Sequence, residues 1–214
     1  MSTNKKIAIG VVGAAGAAAL VAGTAVASKG SLWNERTTHT QFTASVHRVV
    51  VDGYAGDVDV SASRATGAEV ERTTSWLFSK PKVSVSVRDG VLYLEARGKH
   101  GFLSATDFKV RVPAGAAVEI DEHASDVTVT GKPGDVRADT DAGDVRVDVA
   151  HAPRRIVASS NAGDVTVEVP QGTYAVDTDT NAGDTSIRGV VRDDRAKRSI
   201  HATTDAGDVT VTGR

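Results

Sequence analysis

The chain has 214 residues, a formal net charge of −2, no cysteine, and only 4% aromatic residues. The missing thiol excludes disulfides, thiolate metal sites, a cysteine nucleophile and a lipid-modified cysteine anchor, and the near-balanced charge gives no support for nucleic-acid binding. So few aromatics beside so much Val, Ala, Thr, Asp and Gly point to a slim, strand-rich core.

In chain order, Lys5 and Lys6 precede an uncharged run, IAIGVVGAAGAAALVAGTAVA, at residues 7–27. As a helix it is long enough to cross a bilayer, and Ala25-Val26-Ala27 has the form of a signal cleavage site. Residues 1–28 are therefore expected to be a hydrophobic helix, either a signal peptide or a transmembrane anchor. The membrane is the first expected partner, and everything after Ser28 is expected outside the cytoplasm. The product is then a single-pass protein of the cell membrane or a secreted one. Residues 29–41 are polar and read as a linker, followed by one strand-repeat domain over 42–214.

Within that domain, residues 69–75 read as a strand. VSVSVRDGVLYLEA at 83–96 is a hairpin about Asp89-Gly90, a strong two-residue turn signal, and FKVRVP is a strand ended by Pro113. An antiparallel meander over 69–112 brings the loops at 76–82 and 98–106 to one end. That end gathers Trp76, Leu77, Phe78, Phe102 and Leu103, with Lys80, Lys82 and Lys99 nearby. Such a patch is either a plug over the open end of the core or a contact surface for membrane or partner.

A repeated string organises the rest: AGDVDV at 55–60, AGDVRV at 142–147, AGDVTV at 162–167, AGDTSI at 182–187 and AGDVTV at 206–211. ASDVTV at 124–129 and PGDVRA at 133–138 are degenerate copies. A period of about 20 residues is the mark of a stacked architecture. In IVASSNAGDVTVEV, at 156–169, apolar and polar residues alternate on both sides of the glycine, so one repeat is strand, tight turn, strand. Gly56, Gly143, Gly163, Gly183 and Gly207 are expected to take positive φ, and Asp144, Asp164, Asp184 and Asp208 to bond turn amides. Aligned in sequence order, Val136, Ile156, Val176 and Ile200 form one inward row. Thr140, Ser160, Thr180 and Thr204 form another, which needs hydrogen bonds if buried. One unit cannot bury its apolar face, but a stack can; the fold class is all-β, a β-solenoid.

No reaction is specified. The aspartate row, beside Asp141, Asn161, Asn181 and Asp205, offers oxygen ligands, and Asp126, Asp135 and Asp144 are nine residues apart. A calcium-stabilised roll is thus an alternative, though the glycine density of such rolls is absent. A second alternative is a carbohydrate-active β-helix enzyme using outward Asp139, Asp141, Glu168, Asp177 and Asp179, although Tyr174 is the sole aromatic among the repeats. The six histidines are scattered, without HExxH spacing, and there is no GxSxG elbow or phosphate loop. No catalytic residue, cofactor or metal ligand is assigned.

The apolar N-terminal run, the early Val-rich strands, FKVRVP and the Asn/Asp-Ala-Gly-Asp-Val units together resemble the adhesin-like family of bacterial envelope proteins, in its actinobacterial type. That family is a domain of unknown function built of β-strand repeats. The resemblance covers about residues 46–214. It implies an all-β solenoid-like domain exposed at the envelope; the role expected of the chain is binding or scaffolding there, with an envelope protein or glycan as partner and without catalysis. It brings no catalytic residues to transfer.

Overall fold

A computed structural model describes residues 8–11, 19–26, 32–97 and 103–214. The described residues form strands and turns, with no α-helix among them. The first strands are β1 (Ala8–Val11), β2 (Ala19–Val26), β3 (Asn34–Phe42), β4 (Arg48–Asp52) and β5 (Val58–Ser63). Next come β6 (Ala68–Trp76), β7 (Lys82–Arg88), β8 (Val91–Arg97) and β9 (Ser104–Pro113). The repeats supply β10 (Ala117–Ala124), β11 (Val127–Gly131), β12 (Val136–Ala142), β13 (Val145–Val149), β14 (Arg155–Ala162) and β15 (Val165–Val169). They continue with β16 (Thr173–Ala182), β17 (Thr185–Arg188), β18 (Val191–Arg192), β19 (Ser199–Ala206) and β20 (Val209–Gly213).

Each repeat is one rung, with a strand in each of two sheets. One sheet runs β1-β2-β3-β6-β9-β5-β11-β13-β15-β20-β17, and the other β18-β16-β19-β14-β12-β10-β4-β8-β7. Between rungs the pairing is parallel and in register, with Val118 beside Val136 and Val127 beside Val145. Because the register is fixed, every inward residue stacks on its equivalent. Val, Ile and Ala from both sheets are buried as one continuous core. Each fully buried Val or Ile contributes roughly 1.5–3 kcal/mol relative to exposure, and no large aromatic core is needed.

The rungs do not stack in sequence order. β19 lies between β14 and β16, and β20 between β15 and β17. The inward row therefore reads Val136, Ile156, Ile200, Val176, not the sequence order. Side-chain chemistry accounts for the exchange. β19 and β20 offer Ile200, Ala202, Val209 and Val211, all buried, whereas β16 and β17 place Thr178, Thr185 and Ile187 in the same rows, and these stay at least partly exposed. The more apolar rung takes the interior slot, and the more polar rung caps the stack. At the opposite end β4 and β5 likewise lie between the β8/β9 rung and the β10/β11 rung.

Three further expectations change. The described parts of the apolar N-terminal run, Ala8–Val11 and Ala19–Val26, are antiparallel strands continuing from β3, not a helix. Ala, the strongest helix former, dominates the run, so intrinsic propensity does not decide; β3 presents an edge of backbone N–H and C=O groups, and β2 pairs along it. The polar stretch read as a linker contains most of β3, which pairs β6 along its whole length. The expected meander is split between the sheets: β6 pairs β9 in one and β7 pairs β8 in the other. Its turn is as expected, with Asp89 and Gly90 at φ 50° and 72°.

Candidate functional site

The corner where each rung crosses from one sheet to the other is built from the repeated string. Gly56, Gly143, Gly163, Gly183 and Gly207 hold φ between 117° and 154°. Their carbonyls form a column that the inward hydroxyl row reads. Ser160 Oγ donates to Gly143 O at 2.8 Å, Thr204 Oγ1 to Gly163 O at 2.8 Å, and Thr180 Oγ1 to Gly207 O at 2.9 Å. The turn aspartates form a second column. The amide of Asp164 donates to Asp144 Oδ1, that of Asp208 to Asp164 Oδ1, and that of Asp184 to Asp208 Oδ1, all at 2.8–2.9 Å. Asp144, Asp164 and Asp208 thus each cap the next rung, and Asp184 ends the column. Among the described residues no group of three or more His, Asp or Glu is disposed to hold a metal ion.

A third column stands outside. In space it reads His123, Asp141, Asn161, Asp205, Asn181. His123 Nδ1 lies 2.6 Å from Asp141, Asn161 Nδ2 donates to Asp141 at 2.9 Å, and Asn181 Nδ2 donates to Asp205 at 2.9 Å. The rung exchange makes donor and carboxylate alternate, so every donor of this column has a carboxylate beside it.

The outward carboxylates of the enzyme alternative are mostly engaged along the stack. Asp139 meets Arg137 at 2.6 Å and Ser159, Asp177 meets His201 at 2.9 Å, and Glu168 meets Arg146 and Arg214. Asp139 and Asp179 share a row with Ser159 and Thr203 between them. Three strand spacings put them about 14 Å apart, beyond the reach of a glycosidase acid–base pair. Asp177 and Asp179 are near one another, but on the exposed capping strand.

Sequence reasoning missed two sites. The first is Glu122, which takes the place of a hydroxyl in the inward row, beside Thr140. It is 3% exposed, and its space exists because Gly53 has no side chain: a Cβ there would lie 2.3 Å from Glu122 Oε1. Burial pushes its carboxyl up to about 8, despite the hydrogen bond from Ser125 Oγ at 3.2 Å. The alternation Val118, Ile120, Glu122 already points it inward. The second is a groove of about 820 Å3 across the outer face of the sheet containing β3, β6, β9, β5 and β11. Two rows cross it at right angles to the strands. One is His39, Glu71, Lys109, Asp59, Thr128; the other is Gln41, Glu69, Arg111, Ser61, Thr130. In the first row Glu71, Lys109 and Asp59 alternate in sign, and in the second Glu69 and Arg111 form one pair among neutral polar groups, with His39–Glu71 at 3.3 Å and Arg111–Glu69 at 2.6 Å. Only the spatial strand order assembles these rows.

Trp76, Leu77, Phe78 and Leu103 stand at the end of the sheet where β6 finishes and β9 begins. The loops after β6 and before β9 meet, with Leu77 N donating to Leu103 O at 3.0 Å. Phe78 is 78% exposed and Leu103 36%. Lys80 Nζ stands 5.4 Å from the Trp76 ring centre. Phe102 lies outside the described residues.

Residues 25–212 match the model of the Toastrack DUF4097 family. The chain belongs to that family. The Toastrack match covers the rungs and the strands beside them. A solved structure of a candidate cell adhesion protein from Clostridium sporogenes has the same fold. It is 13% identical, with a TM-score of 0.56, and the alignment covers 85% of this Toastrack chain and 100% of the other. A candidate adhesin from Bacteroides fragilis is 12% identical with a TM-score of 0.36, covering 83% and 97% of the two chains. No curated protein matches this Toastrack sequence.

Proposed function

We propose that this Toastrack domain is a non-catalytic binding module of the bacterial envelope, and that the groove across β3, β6, β9, β5 and β11 takes an extended polar ligand such as a glycan strand or peptide segment. The observation that carries this reading is the pair of parallel polar rows, each alternating charged or hydrogen-bonding groups over five strands. Such rows match a chain-like ligand lying across the sheet. A small substrate would need a closed, desolvated pocket instead. The adhesin-like names of fold relatives agree with a surface role. Residues 7–27 serve as the export segment or anchor on this reading.

The absence of native cysteine makes the test clean. Thr128→Cys places one thiol in the groove, and Thr203→Cys places one on the outer face of the other sheet. Each protein, carrying a photo-crosslinker, is exposed to envelope fractions. The groove position is expected to capture a discrete envelope component that the control does not. Equal capture at both positions, or none in the groove, would defeat the proposal.

A further inference from the structure

The apolar end carries an observation that the groove does not use. Arg36 pairs across from Thr74, and Arg72 from Thr38. Thr38 and Thr74 are buried, so both arginines leave the inward side of neighbouring strands. They are diagonal neighbours, a Cα separation of about 7–8 Å. Lys80 stands over Trp76, the next inward residue after Thr74. Burial, then the charges of Arg36 and Arg72, hold Lys80 below the ordinary lysine range. Among the described residues none of these three cations has a carboxylate at ion-pair distance, and the remaining residues contain no Asp or Glu. Three mutually repelling cations converge with no anion of their own.

Apolar side chains frame them. Leu32 is 84% exposed and Trp33 43%. They directly precede Asn34, whose side chain donates to Trp76 O at 3.5 Å. Phe78 and Leu103 complete the rim. The uncharged run reaches the same end, since Val26 pairs with Glu35 at the start of β3.

We propose that this end is a membrane-docking surface, in which Arg36, Arg72 and Lys80 hold the phosphate of an anionic phospholipid headgroup while Trp33, Phe78 and Leu103 enter the bilayer interface. Charge complementarity selects an anionic bilayer surface over a neutral one. Aromatic side chains with one wet edge suit the interface itself. The proposal rests on the envelope reading but not on the groove, whose crosslinking test is separate.

Trp33 and Trp76 are the only tryptophans, so tryptophan fluorescence, excited apart from tyrosine, reports this surface alone. The full-length protein is titrated with phosphatidylglycerol vesicles and with phosphatidylcholine vesicles. A blue shift is expected at a lipid concentration at least tenfold lower for phosphatidylglycerol. The variant R36Q/R72Q/K80Q is expected to lose that preference, binding phosphatidylglycerol at least tenfold more weakly. Its melting temperature should be unchanged or higher, because mutual repulsion is removed. If the triple variant does not fold, exposed Arg36→Gln alone decides, with a loss of threefold or more expected. Equal shifts with both lipids would assign binding to the apolar run and overturn the proposal. So would vesicle binding without a tryptophan shift, or a shift unchanged in the variant. Inorganic phosphate producing the same shift without vesicles would make the ligand a free anion, and would also overturn it.

Discussion

Gly163 sits against the carbonyl of Gly143, and a Cβ added there would lie 2.1 Å from that oxygen. Its φ of 147° compounds the conflict for any L side chain. Gly163→Val is therefore expected to cost at least ~1–2 kcal/mol, read as a lower denaturation midpoint; a variant that melts like the parent would refute the stacked-turn account. Glu122 gives a second prediction. Its carboxyl titrates at about 8 when folded, against an ordinary 4.5. Burial is the main cause, with Asp52 and Asp121 adding to it and Ser125 and His123 opposing. Between those values the folded state keeps a proton that the unfolded chain releases. The contribution to stability is whole below pH 4.5, falls as pH rises, and is lost above about pH 8. His123, raised by its hydrogen bond to Asp141, acts in the same direction, so a comparison of variants is needed. Glu122→Gln should lose at least about 3 °C less than the parent between pH 5 and pH 8.5, and superimposable profiles would refute the assignment. The hydroxyl row was legible because it repeats; Glu122 was hidden because it breaks the repeat, and only its inward phase gave it away.

At the scale of the strand pair, the aspartate column explains how like charges stand on consecutive rungs. Asp126, Asp144, Asp164 and Asp208 each accept an amide of the rung beside them, so hydrogen bonds rather than a cation hold the column. Melting temperature is therefore expected to differ by less than ~2 °C between excess chelator and millimolar Ca²⁺. A calcium-dependent rise of ~5 °C or more, lost in D164N/D184N, would mean that an ion binds the native state. Strand–turn–strand rungs and the Asp89-Gly90 hairpin were readable from alternation and turn chemistry, which are local. The pairing of β6 with β9 was not, because nothing in either segment specifies which sheet receives it. The apolar N-terminal run shows the same limit: its hydropathy and Ala content fit a spanning helix, and the edge of β3 with which it pairs is not written in the segment itself. Fractionation separates the cases. A membrane-bound form at full mass supports an anchor, whereas a soluble product starting at Ser28 leaves β3 without β2 at its edge.

Across the whole molecule, the exchanged rung order has a direct test in a chain without cysteine. Ser159 and Thr203 are neighbours on β14 and β19, one strand spacing apart at about 4.8 Å, within the span a disulfide can bridge. Ser159 and Asp179 are two spacings apart, about 9.6 Å, which is too far. S159C/T203C should oxidise to a monomer with faster gel mobility, and S159C/D179C should not. The reverse result would restore the sequential stack. Sequence position alone gave no sign of the exchange, since β16 and β19 align equally well on β14; the deciding difference is that Thr178 and Thr185 stand where Ala202 and Val209 do.

Because β19 and β20 fill a gap bounded on one side by β14 and β15 and on the other by β16 and β17, neither sheet is continuous until they arrive. A ribosome delivers β16 and β17 first. During synthesis that earlier rung has to wait or hold a provisional position against its future neighbour's seat. Completion of the stack is thereby timed by the emergence of Ser199–Ala206 and Val209–Gly213, and until then the last rung stands apart from the rest.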